Sequence, residues 1–164
     1  MKKILLFAGL LAANFAGAQA FTGKGDAKLN IGANIQDGGA GITGTVDLGI
    51  GENLSYGFSA TYLLGVDEVL GEKPDFADRA DIKARLNANI GNVIGISEQF
   101  DLYPGLDLGL RNFGAHVGAR YFFTNGFGVY SEAGFPIARY DTDPVGFDYL
   151  NNQFVFQVGA SFNF

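Results

Sequence analysis

Apolar residues alternate with small or polar ones along most of the chain, and the last eight residues show this pattern most clearly. Between 157 and 164, four apolar residues alternate with four small or polar ones. Side chains on a strand point to opposite faces with period two, so this segment predicts a strand with one apolar and one polar face. The apolar face ends on Phe162 and Phe164, which would be an aggregation liability on a soluble protein but would meet lipid on a membrane barrel.

Seven earlier segments repeat the alternation and are separated by residues that favour turns. The segment from 79 to 90 is the most regular, with Ala, Ile or Leu at even positions and charged residues or Asn at odd ones. A helix would scatter these charges around all of its sides, so the pattern predicts a strand. Pro104 has no N–H to donate and predicts a bulge or a late start in the fifth strand, whereas Asn125-Gly126 is typical of a hairpin.

The connections between the segments predict how the strands are arranged. An even number of antiparallel strands places both termini at one end. The eighth strand must pair with the segment from Lys28 to Gln36, because a free edge would leave backbone groups unpaired. The pattern therefore predicts an all-β fold, an eight-stranded antiparallel up-and-down transmembrane β-barrel. Turns are expected at one end at 51–53, 91–99 and 124–126, and loops at the other end at 37–40, 66–78, 112–113 and 139–152.

The N-terminal residues have the three parts of an export signal. Lys2 and Lys3 form a basic region, residues 4–15 form an apolar run, and Ala18-Gln19-Ala20 offers small residues where a signal peptidase reads. The run is shorter than the ~20 residues that a transmembrane helix needs. We expect a cleaved signal peptide over residues 1–20 and a barrel domain over residues 21–164, with cleavage after Ala18 as the alternative to cleavage after Ala20. The chain has no cysteine, which excludes a lipoprotein anchor and disulfide bonds.

The aromatic residues of the apolar faces fall into two bands, one near each end of the predicted strands. Two such bands flank the apolar belt of a membrane barrel. The alternative is a secreted, soluble barrel of the lipocalin type, which would turn its apolar residues inward.

The C-terminal pattern resembles the signal by which outer-membrane barrels are recognised for assembly. Gln157 and Gly159 supply the polar and small positions, and Phe162 and Phe164 supply the two aromatics. The whole chain resembles the small eight-stranded outer-membrane proteins of the porin-like and OmpA/OmpX-type barrel superfamily. This resemblance implies the outer membrane of a Gram-negative bacterium and termini in the periplasm. It also implies contact with outer-membrane lipid, lipopolysaccharide and the barrel-assembly machinery.

If the apolar faces meet lipid, the polar faces place six cations and five anions inside the barrel. Charges removed from bulk water need partners, so we expect a salt-bridged network. An eight-stranded barrel is just wide enough for side chains to fill it, which predicts a closed or very narrow lumen. The network is expected to include the single histidine, His116, and the charged residues Lys28, Asp47, Arg79, Asp81, Lys83, Arg85, Asp101, Asp107, Arg111, Arg120 and Glu132.

His116 is also the first candidate for catalysis. Some small outer-membrane barrels are lipid A deacylases, and their pattern has a Ser two residues after the catalytic His. Gly118 stands at that position here, so the deacylase motif fails. We interpret His116 as a polar lumen residue beside Arg120, and we expect no catalytic residue.

Composition narrows the remaining possibilities. The formal net charge is −6, and it becomes −8 when Lys2 and Lys3 leave with the signal. An acidic chain is not expected to bind nucleic acid, which requires a basic surface. The acidic loops could bind a divalent cation that bridges lipopolysaccharide phosphates, but no spacing matches a known calcium loop, and solvated loop charge is the favoured interpretation. We expect no metal site and no cofactor.

The sequence therefore predicts a non-enzymatic integral barrel with a structural or surface-interaction role in the envelope. A narrow porin-like channel for small solutes is the first alternative. An outer-membrane lipid-modifying enzyme is the second. The pattern predicts no particular oligomeric state.

Overall fold

The computed structural model describes residues 18–69, 71–140 and 147–164, which form eight strands and two short helices. Helix α1 (Phe76–Arg79) precedes the fourth strand, and helix α2 (Gly91–Ile94) precedes the fifth. Most of the predicted export signal, residues 1–17, lies outside the described residues. The strands are β1 (Ala27–Gln36), β2 (Gly39–Gly49), β3 (Leu54–Val66), β4 (Ala80–Ala88), β5 (Phe100–Gly109), β6 (Asn112–Phe122), β7 (Phe127–Arg139) and β8 (Val155–Asn163).

The strands form one closed sheet. Each strand is antiparallel to the next in sequence, and β8 closes the barrel by pairing with β1, from Lys28 opposite Asn163 to Gln36 opposite Val155. The prediction of an all-β, eight-stranded antiparallel barrel of up-and-down order is confirmed, together with the predicted closing pair. Within the described ranges, no helix is long and apolar enough to span a membrane.

The two ends of the barrel differ in their connections. One end, the turn end, carries the chain entering β1, the C-terminal residue and the connections 50–53, 89–99 and 123–126. The opposite end, the loop end, carries the connections 37–38, 67–79, 110–111 and 140–154. The turn predicted at Asn112-Phe113 lies two residues earlier, because Asn112 already pairs with Arg139 of β7.

The two faces of the wall have opposite chemistry. Because side chains alternate along each strand, one set of residues points outward and the other points into the enclosed space, the lumen. Aliphatic and aromatic side chains such as Phe58, Ile82 and Leu108 lie exposed on the outer face. The largest fully buried side chains include Arg120, Lys28 and several asparagines. This is the reverse of the arrangement that a soluble lipocalin-type barrel requires.

Pro104 does not produce the bulge or late start expected in β5. The strand begins at Phe100 and passes through Pro104, which lies opposite Val117 of β6. Register shifts occur elsewhere, between Ala40 and Gly41 in β2 and between Phe113 and Gly114 in β6.

The effect of Pro104 is found instead between β5 and β4. This ladder has five pairs, from Lys83 opposite Gly109 to Asn87 opposite Gly105, whereas each of the other seven has at least eight. The Leu102 carbonyl accepts a hydrogen bond from the Ile90 N–H, so alternate peptide groups of β5, including that of residue 104, face β4. Proline has no N–H, and the regular ladder therefore stops at Gly105.

Candidate functional site in the closed lumen

Two arginines from β4 and β6 organise the charges at the centre of the lumen. The Arg85 Nη2 lies 2.6 Å from the Glu132 Oε2, and its Nε lies 3.4 Å from the Asp47 Oδ1. The Arg120 Nη1 lies 3.5 Å from the Asp47 Oδ2, and its Nε lies 3.4 Å from the Asp101 Oδ2. All five side chains are buried. Asp47 thus joins the two arginines, and the network runs across the lumen from β7 to β5.

An aromatic ring fills the space beside this network. Tyr103 is fully buried, and the Arg120 Cζ lies 4.1 Å from its ring centroid, within the range of a cation–π contact. The ring fits because position 118 is glycine, where a Cβ atom would overlap it. Gly105 has the same role for His116, whose ring occupies the place of a Cβ atom at 105. Glycines on the inner face therefore make room for large lumen side chains.

His116 is buried and makes polar contacts with three residues. Its Nδ1 lies 3.0 Å from the Asp107 Oδ2, and its Nε2 lies 2.8 Å from the Arg85 Nη2 and 2.9 Å from the Asn87 Oδ1. These contacts place a carboxylate at one ring nitrogen and both a guanidinium and an amide oxygen at the other. The predicted neighbour Arg120 is not among them, and the Tyr103 ring centroid lies 6.2 Å from that of His116. No serine, threonine or cysteine is hydrogen-bonded to His116 in the described structure.

The turn end of the lumen is closed by the chain entering β1. Lys28 forms a buried ion pair with Asp26, donates to the Asn163 Oδ1 at 3.0 Å, and lies 5.2 Å from the ring centroid of Phe122. Ala18 and Ala20, the two predicted cleavage positions, are buried against Phe122, and the Ala20 N–H donates to the Glu98 carbonyl. The cleavage site itself stays a prediction.

The loop end is closed by residues 147–153, which precede β8. Leu150 is fully buried, as is Leu63 of β3. The Asn112 Nδ2 donates to the Asn151 carbonyl at 2.9 Å and to the Asn152 Oδ1 at 3.1 Å. Side chains therefore fill most of the described lumen, with the arginine network at the centre, Lys28 and Phe122 at the turn end and residues 147–153 at the loop end.

Two of the predicted lumen cations lie at the rim instead. Arg79 is the last residue of α1, and its Nε donates to the Pro74 carbonyl at 3.2 Å. Arg111 lies in the connection between β5 and β6, where it donates to the Ala77 carbonyl and lies 3.5 Å from Asp78. Both follow the alternation of a neighbouring strand but lie beyond its end, where the side chain meets loop residues. The remaining predicted lumen residues lie on the inner face: Lys28, Asp47, Asp81, Lys83, Arg85, Asp101, Asp107, His116, Arg120 and Glu132.

Asp26 is a lumen residue that the sequence interpretation missed. It is buried and pairs with Lys28, two positions later. The signal was available, because residues two apart on an extended chain share a face. Asp26 lies one residue before the alternating segment, so the alternation alone does not assign it to the lumen.

The four residues of the proposed assembly signal lie on both faces of β8. The Gln157 Nε2 lies 3.4 Å from the Asn34 Oδ1 inside the barrel, and a Cβ atom at Gly159 would overlap the backbone of β1. Phe162 lies outside, with its ring centroid 5.7 Å from that of Phe127. The exposed Phe164 donates its N–H to the Ala27 carbonyl at 3.2 Å. Recognition by an assembly machinery stays a prediction.

The site holds no arrangement typical of a metal centre. Among the residues that the structure describes, no three His, Cys, Asp or Glu side chains are grouped so that they could hold a metal ion. The buried charged side chains instead form ion pairs, and Asp47 takes part in two of them.

Comparisons with known proteins support the fold and assign no activity. A family model described as "Family of unknown function (DUF6646)" matches residues 11–164. No curated protein matches the chain. A solved structure described as "De novo design of transmembrane beta-barrels" has 11% sequence identity and a TM-score of 0.50, and the match covers 86% of this chain and 97% of that one. Another, described as "Solution NMR structure of de novo designed TMB2.3", has 13% identity and a TM-score of 0.49 over 85% and 94% of the two chains.

Proposed function

The chain belongs to the family of unknown function whose model matches residues 11–164, and we propose, from its closed barrel fold, that it is an integral outer-membrane β-barrel protein of a Gram-negative bacterium. Its role is non-enzymatic, either structural in the envelope or in surface interaction, and its lumen is filled by its own side chains. In type it is close to the small OmpA/OmpX-like barrels.

The observation that carries this proposal is the reversed arrangement of the barrel wall, with apolar residues outside and polar residues inside. Aliphatic and aromatic side chains form the outer face, while buried charges and amides form the interior. In water the outer face would be an apolar patch far larger than the few hundred Å² that a soluble monomer exposes. In a bilayer it meets hydrocarbon, and the closed sheet leaves no unpaired edge.

The arrangement of the ends supports an orientation. Both described ends of the chain lie at the turn end, and the longer acidic connections lie at the loop end. Outer-membrane barrels have short periplasmic turns and longer external loops. We therefore assign the termini to the periplasm and the loop end to the lipopolysaccharide surface. The basic, apolar and small residues at the start of the sequence support a signal peptide over residues 1–20.

Cell fractionation tests the location. The protein is expected in the outer-membrane fraction and should migrate faster on a gel before boiling than after it. Recovery of folded protein in the soluble periplasmic fraction would contradict the proposal. Crosslinking from position 164 should capture the assembly machinery during insertion, and crosslinking from position 31, on the outer wall, serves as the matched control.

The surroundings of His116 support the non-enzymatic assignment. The polar neighbours of its Nε2 are Arg85 and Asn87, so this nitrogen has no hydroxyl to activate. Purified protein mixed with lipid A or phospholipid is expected to leave the lipid masses unchanged. A mass change that His116→Ala abolishes would overturn this part of the proposal.

A narrow channel is the second candidate, and the polar lining of the lumen favours it. Buried residues on the inner face include Asn30, Thr45 and Ser161, which could line a water path if the closing residues moved. Single-channel recording of the purified barrel in planar bilayers separates the two candidates. Steady ohmic steps would support the channel, and silence at high protein density would support the closed barrel.

A further inference from the structure

The buried charges of the lumen do not balance. Ten acidic or basic side chains lie on the inner face, with Lys83 partly exposed at the loop end and the other nine buried. The four cations are Lys28, Lys83, Arg85 and Arg120, and the six anions are Asp26, Asp47, Asp81, Asp101, Asp107 and Glu132. Without His116, these formal charges leave the lumen with two negative charges in excess.

Pairing shows where the excess lies. Lys28 with Asp26 is neutral, and so is Lys83 with Asp81, whose atoms lie 3.6 Å apart. The central network has three carboxylates for two arginines, so one excess charge is spread over both arginines. The other lies on Asp107, which is hydrogen-bonded to His116 and lies opposite Arg85, an arginine that already pairs with Glu132 and Asp47. A buried carboxylate that shares its cation with other carboxylates is costly, and Asp107 lies towards the loop end.

A small polar cavity lies beside Asp107. Its volume is about 30 Å³, enough for an ion and a water molecule, since one water needs roughly 10–15 Å³ on this measure. Lys83, 22% exposed, joins it to solvent at the loop end. The polar side chains that line this cavity include Asn34, Asp81, Lys83, Asp107, Glu132 and Gln157.

Unsatisfied polar atoms on the cavity wall point to a ligand. Asn34 is 1% exposed, and its Nδ2 has no hydrogen-bond partner. Asp81 is 3% exposed, and its Oδ1 has none either. Gln157 also lines the cavity, and its Oε1, which can accept a hydrogen bond or bind a cation, has no hydrogen-bond partner. Buried polar atoms in folded proteins are almost always paired, so a group in this cavity is expected to contact them.

We propose that this cavity binds one small monovalent cation, of the size of sodium, potassium or ammonium, which neutralises Asp107. Carboxylate and amide oxygens suit such an ion, because they are hard ligands. A single positive charge is what the loop end lacks.

The melting temperature of the purified barrel in detergent tests the proposal. Melting is compared at constant ionic strength and pH in sodium, potassium or ammonium chloride and in N-methylglucamine chloride, whose cation is too large for the cavity. A small cation at ten times its Kd is expected to raise the melting temperature by roughly 3–6 °C. In Asp107→Asn, which keeps an acceptor for the His116 N–H, this difference should disappear.

Asp67→Asn is the matched control, since Asp67 is an exposed carboxylate in the loop between β3 and β4, and it should keep the cation dependence. Equal melting in all four salts would overturn the proposal, as would a difference that survives in Asp107→Asn. A melting temperature that changes with pH but not with the cation would mean that a proton neutralises the site. As a direct check, crystals soaked in thallium salt should show an anomalous peak in the cavity. The measurement requires a folded barrel but no particular cellular location, so it can fail independently of the outer-membrane assignment.

Discussion

The guanidinium of Arg120 lies over the ring of Tyr103, with 4.1 Å between the Cζ atom and the ring centroid. Arg120 also reaches Asp47 and Asp101, so one side chain connects the aromatic filling of the lumen to its ion pairs. Both residues are fully buried. Arg85 approaches the same ring, with 6.0 Å between its Cζ atom and the ring centroid.

Gly118→Ala should destabilise the barrel because the new Cβ atom would overlap the Tyr103 ring. Forcing a side chain into a filled interior costs about 1–3 kcal/mol. The measurement is the free energy of unfolding in urea, with the protein in lipid vesicles. Gly44→Ala is the control and should be nearly neutral, since its Cβ would have its nearest neighbour at 4.0 Å.

A double substitution separates this clash from a general effect of glycine replacement. Combining Gly118→Ala with Tyr103→Ala removes the ring that position 118 meets. Gly118→Ala should then lower the free energy of unfolding by less than it does when Tyr103 is present. The interaction free energy between the two substitutions should exceed about 0.5 kcal/mol. Strict additivity would contradict the packing described for Tyr103.

Removing a lumen cation should cost more than removing a lumen anion. Arg85→Met leaves Glu132 and Asp47 facing each other with less compensation, and an uncompensated buried charge costs about 3–5 kcal/mol. Asp47→Asn removes an excess anion and should cost much less. Lys73→Met is the control, because the exposed pair of Lys73 with Glu68 contributes at most about 1 kcal/mol. A larger unfolding penalty for Asp47→Asn than for Arg85→Met would contradict the charge imbalance.

A charged side chain on the outer wall should destabilise the barrel if that wall faces a bilayer. Ile82→Lys places an ammonium on the apolar belt, and in a bilayer such a change costs about 2–4 kcal/mol near the midplane. Val93→Lys is the control, because Val93 is exposed in α2, in the connection between β4 and β5. Folding yield in lipid vesicles measures both. A soluble protein would tolerate the two substitutions equally.

Amide hydrogen exchange should be faster in the short ladder between β4 and β5 than in the longer ladders of the barrel. Its five-pair ladder has fewer hydrogen bonds to break than the eleven-pair ladder between β6 and β7. Peptides covering residues 83–87 should therefore exchange faster than those covering 114–120, when the protein is measured in detergent micelles. Equal protection of the two ladders would mean that Pro104 leaves the wall uniformly stable.

Deleting Phe164 should impair assembly more than export. The residue contributes one backbone hydrogen bond, to Ala27, and an exposed ring, so its loss changes little within the folded barrel. The fraction of heat-modifiable protein should fall while signal cleavage continues. Phe156→Ala, also on the outer face of β8, is the control and should assemble normally. Normal insertion without Phe164 would show that the C-terminal pattern is dispensable.

Alternation was sufficient to predict the wall. Every strand presents a period of two over at least nine residues, and a closed sheet leaves one partner for the last strand. The same rule placed Arg85, Arg120 and Glu132 inside correctly, because it requires no knowledge of neighbours. It failed at strand ends, where Arg79 and Arg111 follow the period but meet loop residues.

The pairing inside the lumen could not be read from the chain. Arg85 and Glu132 are 47 residues apart, and their contact depends on the relative shift of several strands. Alternation gives the face of a residue but not its height along the barrel. The helices α1 and α2 were also missed, since four residues are too few to show a helical period.

The short ladder beside Pro104 gives the cross-section of the barrel a preferred axis of deformation. Seven of the eight ladders between neighbouring strands are long, and the short ladder between β4 and β5 is the compliant joint. Such a barrel flattens or widens in one direction under lateral pressure. Arg85 and Asp107 lie opposite each other across the compliant joint. Both side chains also contact His116, so any widening of the barrel between β4 and β5 changes the surroundings of that buried histidine.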